Sequence, residues 1–137
     1  CASLASVTVE EGVTEIGNYM FQNTKLTSVT LPNSVTKING NAFASCTALT
    51  TIDLGTGVVT ISDYAFQKCA ELTEITFPDA TETIGQNAFA GCVKLAKVSF
   101  GKNMKTINAT ASPARATWAA HVPCWVTSPA ARLRRRP

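Results

Sequence analysis

The sequence predicts a β-rich repeat solenoid in which short parallel strands stack at a 23-residue period. Leucines recur at Leu26, Leu49, Leu72 and Leu95, one full period apart each time, and Leu4 stands one residue short of a period ahead of the first. Whole units align on them: LTSVTLPNSVTKINGNAFASCTA from Leu26 is answered by LTTIDLGTGVVTISDYAFQKCAE from Leu49 and LTEITFPDATETIGQNAFAGCVK from Leu72. A fixed period of this length marks stacked supersecondary units, none of which buries its apolar face alone. Composition agrees. Charged residues are 15% of the chain, against about 25% in soluble domains, and threonine and serine, which suit strands and turns, fill the gap.

Each unit opens with apolar residues at its first, fourth and sixth positions: Leu26, Val29, Leu31; Leu49, Ile52, Leu54; Leu72, Ile75, Phe77; Leu95, Val98, Phe100. The last two of each trio alternate with polar residues, the period of a half-buried strand. Pro32, Gly55, Pro78 or Gly101 then ends the strand. A second apolar pair follows, three apart, at Val13/Ile16, Val35/Ile38, Val58/Ile61 and Met104/Ile107. Thr81 takes the valine column of the fourth unit and marks a weak spot in that stack. Last comes an Ala-Phe block at Ala42-Phe43, Ala65-Phe66 and Ala88-Phe89, with Met20-Phe21 in the first unit. It is expected to be a short turn or a single helical turn whose phenylalanine plugs the coil from the convex side. The complete units, from Leu4, Leu26, Leu49 and Leu72, clear the rough minimum of about three for a stable stack.

This pattern resembles the BspA-like, or Treponema pallidum type, leucine-rich-repeat family. Its unit reads roughly Leu-x-x-Ile-x-Leu-Pro-x-x-Val-x-x-Ile-Gly-x-x-Ala-Phe-x-x-Cys. The unit at Leu26 matches nearly every position, with Asn39 in place of Gly, and the unit at Leu72 is almost as close. The resemblance covers residues 1–111. It implies a short leucine-rich-repeat horseshoe, found on cell surfaces or secreted and often associated with adhesion. The family has no shared catalytic residues to transfer.

Cys46, Cys69 and Cys92 follow the phenylalanines by three residues and share one column. Parallel Cβ vectors do not suit the torsion of a disulfide, so buried apolar thiols are expected. No Cys-x-x-Cys spacing and no repeat histidine points to a metal. Cys1 precedes Leu4 as Cys46 precedes Leu49. It reads as the last turn of a preceding unit, so the array is expected to extend further toward the N-terminus.

The C-terminal side changes character. Residues 1–108 hold all seven lysines and all nine acids, a balance of −2, whereas residues 109–137 hold all five arginines and no acid. The organisation expected is a solenoid over 1–111 and a basic Ala/Arg/Pro-rich tail over 112–137. Two readings of the tail stay open: a natural extension without stable structure, or an out-of-frame or intron-derived translation, which GC-rich codons would bias toward Ala, Arg and Pro. The basic surplus belongs to the tail, so nucleic acid is not expected as a partner of the repeats. No apolar run approaches the ~18 residues of a membrane span.

No phosphate-binding glycine loop, His-Glu-x-x-His or Gly-x-Ser-x-Gly appears, and neither catalytic residues, cofactor nor metal is expected. Asp53 and Glu74 fall on neighbouring strands, but solvated strand positions explain them better than a carboxylate pair. The surface of interest is the concave face: Ser28, Thr30, Thr51, Asp53, Glu74, Thr76, Lys97 and Ser99 flank the inward position of each strand. It is hydroxyl-rich and weakly charged, and suits a protein or glycan met over several repeats; the alternative is a structural spacer. Asn108-Ala109-Thr110 is a glycosylation sequon.

Deleting residues 113–137 is expected to leave the melting temperature and solubility unchanged. Pro113 cannot donate to a backbone ladder, and Ser112 stands where the pattern calls for Phe. A drop of many degrees would make Trp118 and Trp125 part of a cap.

Overall fold

The computed structural model describes residues 3–108, 110 and 111. The tail 112–137, with His121, Cys124, Trp118 and Trp125, and Cys1 at the other end lie outside the described residues. The chain forms a parallel-strand solenoid, with no helix among the described residues. Each coil contributes a three-residue strand, then a two-residue strand, then a run of turns. The two-residue strands are β1 (Glu15–Ile16), β3 (Lys37–Ile38), β5 (Thr60–Ile61), β7 (Thr83–Ile84) and β9 (Thr106–Ile107). They join into one parallel sheet in the order β1-β3-β5-β7-β9. The three-residue strands are β2 (Ser28–Thr30), β4 (Thr51–Asp53), β6 (Glu74–Thr76) and β8 (Lys97–Ser99). These pair as β2-β4 and β6-β8, two separate ladders.

Register follows the sequence period. Ile16, Ile38, Ile61, Ile84 and Ile107 are Cα partners from coil to coil, as are Val29 with Ile52 and Ile75 with Val98. One apolar column therefore runs along each sheet, and every member is buried. A slip of one residue would turn that column to solvent, so burial itself enforces the register.

The Ala-Phe block contains no helical turn. Two left-handed residues recur four apart in each coil: Tyr19 and Asn23, Asn41 and Ser45, Tyr64 and Lys68, Asn87 and Gly91. The consequence is an alternation of bonds. The N–H groups of Tyr19, Phe21 and Asn23 donate to Gly40, Ala42 and Ala44 of the next coil, while Met20, Gln22 and Thr24 donate locally to Gly17, Tyr19 and Phe21. Asn41, Phe43 and Ser45 repeat the pattern onto Asp63, Ala65 and Gln67. In the first three coils every backbone donor over 19–24, 41–46 and 64–69 is satisfied without a helix, as a buried segment requires. A left-handed residue other than glycine costs about 1–2 kcal/mol, and the axial bonds offset it.

The alternation also aims the phenylalanines inward. Phe43, Phe66 and Phe89 are fully buried. Phe43 and Phe66 stack with centroids 5.1 Å apart and planes at 3°, and Phe66 and Phe89 at 5.1 Å and 7°. Phe21 joins at 5.3 Å. Phe77, standing where other coils have Leu31 and Leu54, meets Phe89 edge-on at 5.8 Å and stacks on Phe100 at 5.4 Å.

Beside this row lie the thiols. Cys46, Cys69 and Cys92 are free and buried, as expected, and they are not inert filler. Each donates its S–H to the phenylalanine carbonyl of the preceding unit: Cys46 to Phe21 at 3.0 Å, Cys69 to Phe43 at 3.1 Å and Cys92 to Phe66 at 3.1 Å. Thr24 takes the cysteine column of the first coil, its hydroxyl on the Phe21 carbonyl at 2.9 Å and against the Cys46 sulfur at 3.3 Å. The Cys69 thiol is pushed far up by hydrogen bonding with Cys46 and Cys92 and then by burial, so it stays protonated.

Thr81 turns out differently from the weak spot anticipated. It is fully buried, and its hydroxyl donates to the Val58 carbonyl at 2.7 Å. A buried polar group that finds such a partner carries little penalty. At the other end of the column, Val13 remains exposed with Tyr19 and Met20, because no described coil covers the first one. The stack continues past Ile107: Ala111 is buried and accepts a bond from Phe89 N–H at 2.9 Å, as Ala65 does from Phe43.

Phe66→Ala removes the middle of the ring stack and is expected to destabilise the protein by ~3–5 kcal/mol. A chemical-denaturation curve gives the value; a midpoint within error of the parent would refute the packing described.

Candidate binding faces

The three-residue strands present their outer residues as the 2.0-residue period dictates. In each, the central residue is buried and its two neighbours are exposed. All eight residues of the anticipated concave face therefore point to solvent on four consecutive coils. Ser28 and Thr30 are in register with Thr51 and Asp53, and Glu74 and Thr76 with Lys97 and Ser99.

The structure does not bring them into one continuous sheet. Leu31 N–H bonds to the Asp53 carbonyl and Phe77 N–H to that of Ser99, but β4 and β6 do not pair. A groove of about 240 Å³ opens between them, lined by Thr51, Ile52, Asp53, Gly55, Glu74, Ile75, Thr76 and Pro78. Asp53 and Glu74 both border it, each already engaged. The Asp53 carboxylate accepts the Gly55 N–H at 2.9 Å, and Glu74 reaches Lys97 at 4.0 Å. The groove's described lining holds these two acids with threonines, isoleucines, a glycine and a proline, and no histidine, cysteine or lysine. Among the described residues, no three His, Cys, Asp or Glu side chains are placed to hold a metal ion, and no helix is long and apolar enough to cross a membrane.

Sequence reasoning missed two features. The first is a set of ion pairs that, among the described residues, fall at one interface. Lys94 pairs with Glu71 at 3.0 Å, Lys97 with Glu74, Lys102 with Asp79 at 3.8 Å and Lys105 with Glu82 at 3.2 Å. Each lysine stands one repeat period after its acid, so the last described coil is joined to the acidic coil before it by four pairs. Reading the charges at the same period as the leucines would have found them. Exposed pairs are worth about 0.2–1 kcal/mol apiece and are screened by salt.

The second is the outer face of the five-stranded sheet. A trough of about 500 Å³ runs along it, bordered by Thr60, Ser62, Asp63, Thr83, Gly85, Thr106 and Asn108, with Asn18, Asn39 and Gly40 toward the first coil. Gly85 is required there. The Asp63 carboxylate crosses from the preceding coil to accept the Gln86 N–H at 2.7 Å, and a Cβ on Gly85 would lie 2.4 Å from that oxygen.

With this geometry in hand, kinship can be assigned: the chain belongs to the BspA-type leucine-rich repeat family, whose family model matches residues 1–112 in six copies. Among solved structures it is similar to a T. pallidum leucine-rich repeat protein, at 28% identity and a TM-score of 0.62 over 80% of this chain and 59% of that one. A leucine-rich repeat protein from Bacteroides capillosus shares 34% identity over 72% of this chain and 74% of that one, with a TM-score of 0.57. The pneumococcal vaccine antigen PcpA shares 32% identity over 70% of this chain and 26% of its own length, with a TM-score of 0.61. The chain thus spans a little over half of the T. pallidum protein and about a quarter of the pneumococcal one. A search of the curated proteins finds no match.

The ion pairs make a direct forecast. Raising NaCl from 0.1 to 1 M shortens the screening length from about 10 to about 3 Å. Amide exchange should then speed up at Thr106 and Asn108, which bond to Glu82 and Ile84 across that interface. Ser62, bonded to Ile38 between coils that no described ion pair joins, serves as the reference. Equal protection at both salt concentrations would show that the pairs contribute nothing to holding the last coil.

Proposed function

We propose that this chain is a non-catalytic recognition or adhesion module, part of a larger cell-surface or secreted repeat protein, that meets a protein or glycan across the three-residue-strand face. The supporting observation is the set Ser28, Thr30, Thr51, Asp53, Glu74, Thr76, Lys97 and Ser99, exposed on four successive coils. A partner lying along the solenoid contacts several repeats at once, the usual service of such surfaces, with the groove between β4 and β6 at its centre. Kinship with a pneumococcal vaccine antigen supports a surface or secreted location. The repeats carry a net charge of −2 over residues 1–108, which argues against nucleic acid on this surface.

A spacer is the second reading, favoured by one observation. The Lys97–Glu74 pair satisfies two of the face's charges within the protein itself, as a surface without a ligand tends to do. Binding of the whole chain to an array of purified extracellular proteins and glycans separates the two. Thr51→Arg and Thr76→Arg, which put bulk on the groove, should each weaken any binding at least tenfold, while Lys25→Ala leaves it unchanged. Binding that survives both arginines, or no binding to any array member, favours the spacer.

A further inference from the structure

The outer face of the five-stranded sheet differs in chemistry from the three-residue-strand face, and the difference points to a ligand. Thr60, Thr83 and Thr106 stand in one row, as their Cα register shows. Ser62, Gly85 and Asn108 occupy the next outward row. The hydroxyls of Thr60, Ser62, Thr83 and Thr106 make no hydrogen bond to any described residue, whereas those of Thr36, Thr50, Thr73 and Thr81 are bonded to backbone carbonyls. Each free hydroxyl both donates and accepts. Among the described residues the trough holds one carboxylate, that of Asp63, whose Oδ1 accepts the Gln86 N–H at 2.7 Å. Among the described residues, no lysine or arginine borders it.

Gly85 gives the row its shape. Ser62 before it and Asn108 after it carry side chains, and Gly85 leaves a notch between them. The preceding coil enforces the notch, because the Asp63 backbone N at 2.7 Å and the Ser62 carbonyl carbon at 2.8 Å, together with the Asp63 carboxylate, fill the space a Cβ would need. At about 500 Å³ the trough lies within the ~300–1,000 Å³ of ordinary ligand sites. Strands repeat every ~4.8 Å, so one hydroxyl recurs at a spacing close to the length of a hexose unit in an extended chain.

We infer that this trough is a second binding site, separate from the three-residue-strand face, and that it takes a neutral, extended polysaccharide. A ligand of this class presents one hydroxyl-rich ring per coil and no charge. The free hydroxyls of Thr60, Thr83 and Thr106 exchange hydrogen bonds with it, and Asn108 borders the notch at the last coil. An anionic polysaccharide meets the Asp63 carboxylate and, among the described residues, no cation in the trough, and an apolar peptide finds no exposed apolar side chain of a described residue there. The inference does not depend on what the other face binds.

Affinity electrophoresis of the full chain in native gels tests it. The gels contain mixed-linkage β-glucan, glucomannan, galactomannan or dextran, with heparin as the anionic comparison. Retardation by at least one neutral polysaccharide is expected. Thr83→Arg, which fills the trough, should raise the apparent Kd at least tenfold, and the double variant Thr60→Ala/Thr106→Ala about threefold or more. Thermal melts of both variants establish that they fold; the alanine variant keeps the test valid should the arginine destabilise the sheet. Lys25→Ala, an exposed position outside both faces, should leave the retardation unchanged. No retardation by any neutral polysaccharide overturns the inference, as does retardation that folded trough variants leave intact. Retardation by heparin alone overturns it too, since the arginine-rich residues 109–137 would then account for binding.

Discussion

The constraint on which the rest depends is axial hydrogen bonding between equivalent positions of successive coils. No described coil has a helix in which its backbone could satisfy itself. Its three-residue and two-residue strands are too short to stand alone, and its turns give alternate N–H groups to the next coil. Once Phe21 bonds to Ala42, Phe43 to Ala65, Phe66 to Ala88 and Phe89 to Ala111, coil spacing and register are fixed together. Side chains at equal positions then lie against each other at about strand spacing. Rings stack at 5.1 Å and isoleucines line up, and each thiol reaches the carbonyl of the phenylalanine in the coil before. The same constraint sets lysine against acid at the last interface.

A stack of this kind tolerates substitution unevenly. Thr24 replaces a cysteine because it too offers a short donor to the Phe21 carbonyl. Thr81 replaces a valine because Val58 presents a carbonyl at the right place. Phe77 replaces a leucine, and its extra volume is taken up by edge contact with Phe89 and stacking on Phe100. At Met20, in the alanine column of the first coil, no described coil lies outside it and the side chain stays exposed. The columns are best understood as positions with a required contact, filled by whichever residue makes it.

The two outer faces obey one pleat and differ in use. On the three-residue-strand face, charges at Asp53, Glu74 and Lys97 break the hydroxyl rows, and the ladder parts between β4 and β6. On the other face the sheet runs through all five strands and the rows stay neutral across the last three. A continuous sheet whose trough is rich in hydroxyls and an interrupted one with a groove bordered by two acids present different chemistry to solvent, although every coil supplies both from within a single repeat.

Much of this was legible in the residues. The leucine period fixed the parallel stacking, the buried centre of each strand and the eight outward positions, because a side-chain period of two leaves one face free once the other is apolar. The buried fate of Phe43, Phe66, Phe89 and the three repeat cysteines followed from the same alignment. The ion pairs were equally available, since Glu71, Glu74, Asp79 and Glu82 are each answered by a lysine at the same position of the next repeat. What the sequence left undecided were features set by the third dimension. Left-handed backbone at Tyr64 and Lys68 has no residue signature, because the axial bonds impose it against local preference. The parting of β4 from β6 arises between strands whose sequences both fit a ladder. The notch in the trough exists because the backbone of Ser62 and Asp63 and the Asp63 carboxylate, bonded across a coil to the N–H of Gln86, leave no room for a side chain at Gly85, a contact between neighbouring repeats that only stacking makes close.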